Sequence, residues 1–384
     1  MVTPQYSPGL EGVISNVTRL SYLDVDDEVI LIRGYDLIDL ARSLKYVDVA
    51  HLVMYGDLPD EAAAQSLCDA LKTQCELPED AYRLLELLPK DTNVMDALRT
   101  GISFLAGYED PDLLMDTSRE ANLAKGVRLL ARAPAIAVNA YRALNDLPVV
   151  RPDPSLGYAE NFLYMIRGEK PDAESLEGFD RILTCYIEHE MANSTFAARV
   201  IGSTLADVYG ALTGAVASLK GPLHGGANEA AISMLLDILH NGGEAAADEY
   251  VMDKLRQRAR IMGFGHRVYM RRYDPRALFL RDYIEALADH RPEGRELHAI
   301  YRTVEEVMLR ERGLYPNADY PIALLFYLLD IPVPLDTPIF QCARIAGLVA
   351  HVIEQQEENR LFRPRVQYEG PRGLHAPSGP IAQC

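Results

Sequence analysis

Along most of the chain apolar residues recur at three- and four-residue intervals, the spacing that gives a helix one buried face. The pattern is clear in EAAAQSLCDALKT, EDAYRLLELL, VMDALRTGISFLAGY and REANLAKGVRLLARAPAIAVNAYRAL. It continues through FDRILTCYIEHEM, ANEAAISMLLDILH, RALFLRDYIEALADH, RELHAIYRTVEEVMLRE and FQCARIAGLVAHVIEQQ. About fifteen helices are expected from this pattern. Strand-like alternation is confined to the N-terminal region, where SYLDV and DEVILIRG are placed to pair as a small hairpin. The expected fold class is therefore all-α with a small N-terminal β-hairpin. Pro148, Pro152 and Pro154 interrupt the helical pattern, and the tail from Arg363 onward is rich in Pro and Gly and reads as extended or partly disordered. Between Arg199 and Lys220, the residues Gly202, Ala206, Gly210, Gly214 and Ser218 recur every fourth position. Read as one helix, this stretch carries a ridge of small residues that lets another helix approach closely, in the core or at a dimer interface.

A chain of 384 residues is long enough for two structural domains. Crossing a bilayer takes a run of ~20 apolar residues, and no such uninterrupted run occurs, so a membrane role is not expected. The first residues, MVTPQYSPGLEGV, lack the basic-then-apolar signature of a signal peptide. The five cysteines, Cys68, Cys75, Cys185, Cys342 and Cys384, are scattered, as reduced thiols of a cytoplasmic protein would be. A net charge of −18 argues against nucleic acid as a partner. The basic residues that do occur are clustered. Lys254, Arg256, Arg258, Arg260, Arg267, Arg271, Arg272 and Arg276 are accompanied by one acid, Asp274; Arg360, Arg363, Arg365 and Arg372 form a second group. Clustered arginines on an acidic protein suit a small polyanionic ligand, although a solvated basic helix face would read the same way.

Three short elements carry candidate chemistry. In Lys220-Gly-Pro-Leu-His-Gly-Gly-Ala-Asn-Glu229, a helix ends, the chain turns through glycines, and a new helix opens near Asn228. His224 thus stands just before a helix start, where free N–H groups and the dipole favour a neutral imidazole able to donate to an oxyanion, with a histidine that only closes the loop as the competing reading. In Ile261-Met-Gly-Phe-Gly-His-Arg-Val-Tyr269, Gly263 and Gly265 free the backbone beside His266. Asp274-Pro275-Arg276 reads as an N-cap followed by proline in the first turn. Tyr315-Pro-Asn-Ala-Asp-Tyr320 offers Asp319 as a carboxylate at a loop–helix junction, where a plain helix cap is the competing reading. His189, His224 and His266 are not at the i, i+4 spacing of a helical zinc site, so a metallohydrolase is not expected and no metal is assigned.

GPLHGGANE, MGFGHRVY followed by DPRA, and YPNADY, in this order, resemble the citrate synthase family. Supporting segments run from GLEGV through HEMANSTFAARV and TPIF…ARIAG to RLFRPR, so the resemblance covers nearly the whole chain. It implies a two-domain helical fold: a large domain from 1–221 and 335–384 for dimerisation and oxaloacetate, and a small domain from 222–334 for CoA and closure. It implies a Claisen-type condensation of an acyl-CoA with oxaloacetate, with acyl-CoA as substrate and no permanently bound cofactor. Asp319 is then the base, His224 the enolate stabiliser and His266 the group that polarises the oxaloacetate carbonyl. Oxaloacetate-binding roles fall on His189, Arg276, Arg344 and Arg363, the last supplied by the other subunit of a homodimer with shared sites. The stretch Arg260, Ile261, Met262, Gly263 and Phe264 matches the family's CoA adenine-binding loop.

The sequence departs from the family pattern in two places. Arg276 follows His266 by one residue more than the commoner spacing, because MRRY fills the loop, which leaves the CoA-phosphate contact open between Arg271 and Arg272. Thr92-Asn93-Val94 stands where relatives often have His-Pro, and no function is assigned there. The longer loop resembles the 2-methylcitrate synthase branch, which takes propionyl-CoA, with acetyl-CoA as the alternative or additional substrate. A pocket distinguishes one methylene by only ~1–3 kcal/mol, and no single residue decides the choice. A helical binding module without catalysis would be expected to lack one of His224, His266 and Asp319; all three are present.

Overall fold

The computed structural model describes residues 6–24, 27–265 and 272–376. The N-terminal strands β1 (Ser21–Asp24), β2 (Val29–Ile32) and β3 (Tyr35–Asp36) form an antiparallel sheet in the order β1-β2-β3. Ser21 pairs with Ile32 and Leu23 with Ile30. This register puts Ser21, Leu23, Ile30 and Ile32 on the buried face, while Tyr22 stays exposed. The expected hairpin is present with a third, two-residue strand added. Asp36 then caps the helix Leu37–Ser43 by accepting from the N–H groups of Ile38 and Asp39.

The remaining regular structure is helical, as the periodicity predicts. At the centre lies Asp336–Glu357, buried along almost its whole length by Arg119–Leu144, Asn193–Gly202, Val208–Leu219 and Tyr46–Tyr55. A helix that is apolar nearly all round belongs in a core. Ala227–His240, Glu244–Arg256, Pro275–Leu287, Gly294–Arg312 and Asp319–Leu328 pack largely on one another. Asp274 caps Pro275–Leu287 through the Arg276 N–H, with Pro275 in the first turn as its fixed φ favours. Asn93, in the segment left without a function, caps Val94–Leu105 by accepting from the Met95 N–H.

The small-residue ridge is not on one helix. The first helix ends at Gly202, and Asp207 caps a second one, Val208–Leu219, by accepting from the Gly210 N–H. The ridge is therefore divided. Gly214 lies against Ile201 across this helical hairpin, and Gly202 faces Val352 of the central helix, so both serve core packing. Among the described residues, no helix is long and apolar enough to cross a membrane.

Candidate active site

A cleft of about 1050 Å³ opens between the two groups of helices. Its walls come from chain segments that each expose a polar group: Tyr186 and His189, His224, Arg258 to Gly265, Asn317 to Asp319, and Phe340 with Arg344. Arg276 and Arg312 complete the basic lining, and Asp319 is the one carboxylate among the described lining residues. A chain of charge −18 thus concentrates arginine where an anion would enter.

His224 sits in the turn before Ala227–His240, held by its own N–H to the Gly221 carbonyl at 2.8 Å. The Ser194 N–H, in the first turn of Asn193–Gly202, donates to His224 Nε2 at 3.2 Å, and Ser194 Oγ lies 2.9 Å from the same nitrogen. An acceptor at Nε2 places the ring proton on Nδ1, so a neutral His224 keeps one N–H to donate. Burial, followed by the charge of Arg344, lowers its pKa to about 4. The neutral state is as expected, but burial rather than the helix terminus is the leading cause.

Asp319 is the first residue of Asp319–Leu328, and its backbone N–H donates to Asn317 Oδ1 at 3.0 Å. The preceding loop is zipped to the glycine loop: Asn317 N–H to the Gly263 carbonyl at 2.9 Å and Gly265 N–H to the Tyr315 carbonyl at 3.2 Å. Gly263 has a φ of +84°, and a Cβ there would stand 2.8 Å from the Tyr320 side chain, so both conformation and space require glycine. Burial raises the Asp319 pKa above its ordinary value, against the opposing pull of the Tyr186 hydroxyl and then Arg276. Tyr186 donates to Asp319 Oδ1 at 2.8 Å and stacks on Phe340 with ring centroids 4.1 Å apart. Its part in the site was not legible beforehand; the hydroxyl meets a carboxylate 133 residues away, and no local motif announces it.

Arg276 and Arg344 both reach the cleft from buried positions. Arg276 Nε and Nη2 are bound by the Asp274 carboxylate at 3.0 and 2.7 Å. That edge of the guanidinium fork is thus occupied by protein rather than presented to a ligand carboxylate. Asp274 also accepts from the Ala318 N–H at 3.2 Å, tying Arg276 to the Asp319 junction. Arg344 donates from Nε to the Tyr186 carbonyl at 2.5 Å and lies over the Phe340 ring. Burial lowers its pKa to about 10, which leaves it charged at neutral pH.

The cleft brings together His224, Asp319, His189, Arg276, Arg344 and the whole stretch Arg260, Ile261, Met262, Gly263 and Phe264. Arg363 does not join them; it is exposed, and its Nη1 donates to the Pro364 carbonyl. His266 and Arg271 lie outside the described residues. Arg272 stands 3.8 Å from Glu28, at the edge of the small sheet. Among the described residues no group of three or more potential metal ligands is gathered.

An all-α fold with a small sheet and a basic cleft lined by both a histidine and a buried carboxylate suits an enzyme that handles anionic substrates. A family profile, "Citrate synthase, C-terminal domain", matches residues 9–365. The chain is 50% identical over 367 residues to "Citrate/2-methylcitrate synthase" of Bacillus subtilis (strain 168), covering 96% of this chain and 97% of that protein. It is 47% identical over 372 residues to "Citrate synthase" of Heyndrickxia coagulans, covering 97% and 98%. The Thermoplasma acidophilum citrate synthase, solved with carboxymethyl coenzyme A and oxaloacetate, superposes with a TM-score of 0.91 at 32% identity, covering 99% of each chain. The protein belongs to the citrate synthase family, is closely related to its 2-methylcitrate/citrate synthase branch, and is an acyltransferase of that family.

Proposed function

We propose that this chain condenses propionyl-CoA, acetyl-CoA or both with oxaloacetate and water, releasing CoA and 2-methylcitrate or citrate. One observation carries the reading: within a cleft whose other ionisable lining residues are arginine, histidine and Tyr186, Asp319 is the one carboxylate among the described residues, and neutral His224 lines the same cavity. Asp319 takes a proton from the carbon alpha to the thioester. His224 donates its Nδ1–H to the thioester oxygen as that oxygen gains charge, so proton removal and oxyanion stabilisation are coupled. The enolate carbon then attacks the oxaloacetate carbonyl, forming the new carbon–carbon bond. His189, Arg276 and Arg344 hold oxaloacetate, with Arg276 fixed in place by the Asp274 carboxylate and by its Nη1 donating to the Cys185 carbonyl. His266 polarises the attacked carbonyl in this scheme. Water finally cleaves the thioester and frees CoA.

The stretch 260–264 receives CoA, with Arg258, Arg260 and Arg312 as cations near its phosphates. We read 222–334 as a smaller domain that closes on the body formed by 1–221 and 335–384, excluding water from the enolate. Arg363, exposed and outside its own cleft, suits a role in the partner's site of a homodimer. The similarity to a protein named for both products supports use of either acyl-CoA. The test is thiol release from acetyl-, propionyl- and butyryl-CoA in the presence of oxaloacetate. Release that requires oxaloacetate is expected, with the ratio of kcat/KM values identifying the preferred acyl group; no release with any of the three would refute the assignment.

A further inference from the structure

Behind His189 lies a buried polar chain, whose Glu188 carboxylate also acts electrostatically on Arg344 of the cleft. Glu188 and His351 are fully buried and Arg199 nearly so. Arg199 Nε donates to His351 Nδ1 at 3.0 Å. A guanidinium has only donors, so Nδ1 is the acceptor and the ring proton stands on Nε2, 3.0 Å from Glu188 Oε1. The far end of Arg199 is bound by the Glu354 carboxylate and by Gln355 Oε1. Glu354 in turn accepts from the Arg19 N–H at 2.8 Å, just ahead of β1.

Ser21 of β1 completes the arrangement. Its Oγ donates to Glu188 Oε1 at 2.9 Å and accepts from the Glu190 N–H at 3.0 Å. One hydroxyl therefore grips the residues on both sides of His189. The grip has something to hold, because Glu190 adopts a φ of +53°, an uncommon conformation for a residue with a side chain. From the opposite side, the central helix approaches so closely that a Cβ at Gly347 would run into the Glu188 carboxylate and stand 2.6 Å from the Ile187 carbonyl. A buried charged chain of this kind is seldom more stable than well-packed apolar side chains, but it fixes orientation in a way they do not.

We propose that Ser21, Glu188 and His351 are positioning residues for His189, and that the small N-terminal sheet serves the oxaloacetate site by carrying Ser21. The inference rests on the functional reading above. It is tested by calorimetric titration of oxaloacetate, and by steady-state kinetics, on the wild type and on Ser21→Ala, Ser21→Thr and Glu188→Gln. Loss of one hydrogen bond to a charged group predicts that Ser21→Ala weakens oxaloacetate binding by roughly tenfold or more. Its KM for acyl-CoA at saturating oxaloacetate should stay within about twofold. Ser21→Thr, which keeps the hydroxyl, should recover most of the loss, and Glu188→Gln should weaken oxaloacetate in the same direction as Ser21→Ala. A folded Ser21→Ala protein with unchanged oxaloacetate affinity overturns the proposal, as does a loss in Ser21→Ala that falls equally on both substrates. If the wild type itself binds no oxaloacetate, the functional reading fails first and this inference with it.

Discussion

At the scale of single residues the bond from Tyr186 to Asp319 has the most direct consequence. The hydroxyl stabilises the ionised carboxylate that the reaction needs, against burial that favours the protonated form. Removing it in Tyr186→Phe should raise the Asp319 pKa, so that the active fraction is lost at a higher pH on the acid side. A kcat/KM–pH profile checks this: the acid limb is expected to move to higher pH, and an unmoved limb with lowered activity would assign Tyr186 to substrate contact alone. Residues within motifs were the legible ones. His224, Asp319 and the 260–264 loop each announce themselves by glycine, proline or cap chemistry close by, and the structure brings all of them to one cleft. Tyr186, Ser21 and His351 carry no local signature, because their partners are supplied by packing over more than 130 residues of chain.

At the scale of elements, the pairing of 263–265 with 315–317 decides where Asp319 stands. It includes a β-bridge between Phe264 and Pro316, which joins the stretch proposed for CoA to the loop that delivers the base. Gly263→Ala must place a side chain at a φ of +84° and against Tyr320. A stability loss of about 1–3 kcal/mol is expected from strain of this kind. Denaturant titration would measure the loss, and a larger fractional fall in kcat/KM would show the displacement reaching Asp319. Helix existence was legible from periodicity, but one boundary was not. The four-residue recurrence of small side chains continues straight across the break at 203–207, and only Asp207 in its capping role reveals that a second helix begins. Small residues serve a bend and a close crossing equally well, so their spacing alone does not separate one helix from two.

For the molecule as a whole, burial also sets the pH dependence of stability. Asp180 accepts from the Tyr46 N–H at 3.0 Å, and burial raises its carboxyl to about 6. A folded-state pKa above the unfolded value means that the folded state prefers the protonated form. Its contribution is present in full below the unfolded pKa, near 4, and is lost as pH rises through about 6. Asp180→Asn keeps an acceptor for Tyr46 and removes the buried charge, so it should stabilise the protein by about 1–3 kcal/mol at pH 8. The gain should vanish towards pH 4, and denaturation at the two pH values measures it; a gain independent of pH would exclude ionisation as its source. The all-α class and the hairpin followed from hydrophobic spacing. The separation of charge, with an acidic exterior and a basic cleft, was visible only as an arginine cluster between 254 and 276. Which of those arginines face inward depended on how the helices pack.

The hydrogen bond from Arg19 to Glu354 spans 335 residues, nearly the whole chain. During synthesis the N-terminal strands leave the ribosome first and the central helix that completes their anchorage leaves almost last. Loop closure over such a separation comes late in folding. A nascent chain that stops before residue 336 already contains His189, His224 and Asp319, yet it lacks Arg344 and the central-helix residues, His351 among them, that back His189. Such truncated chains should form helix but take up no oxaloacetate, and release of the full-length product should mark the onset of binding.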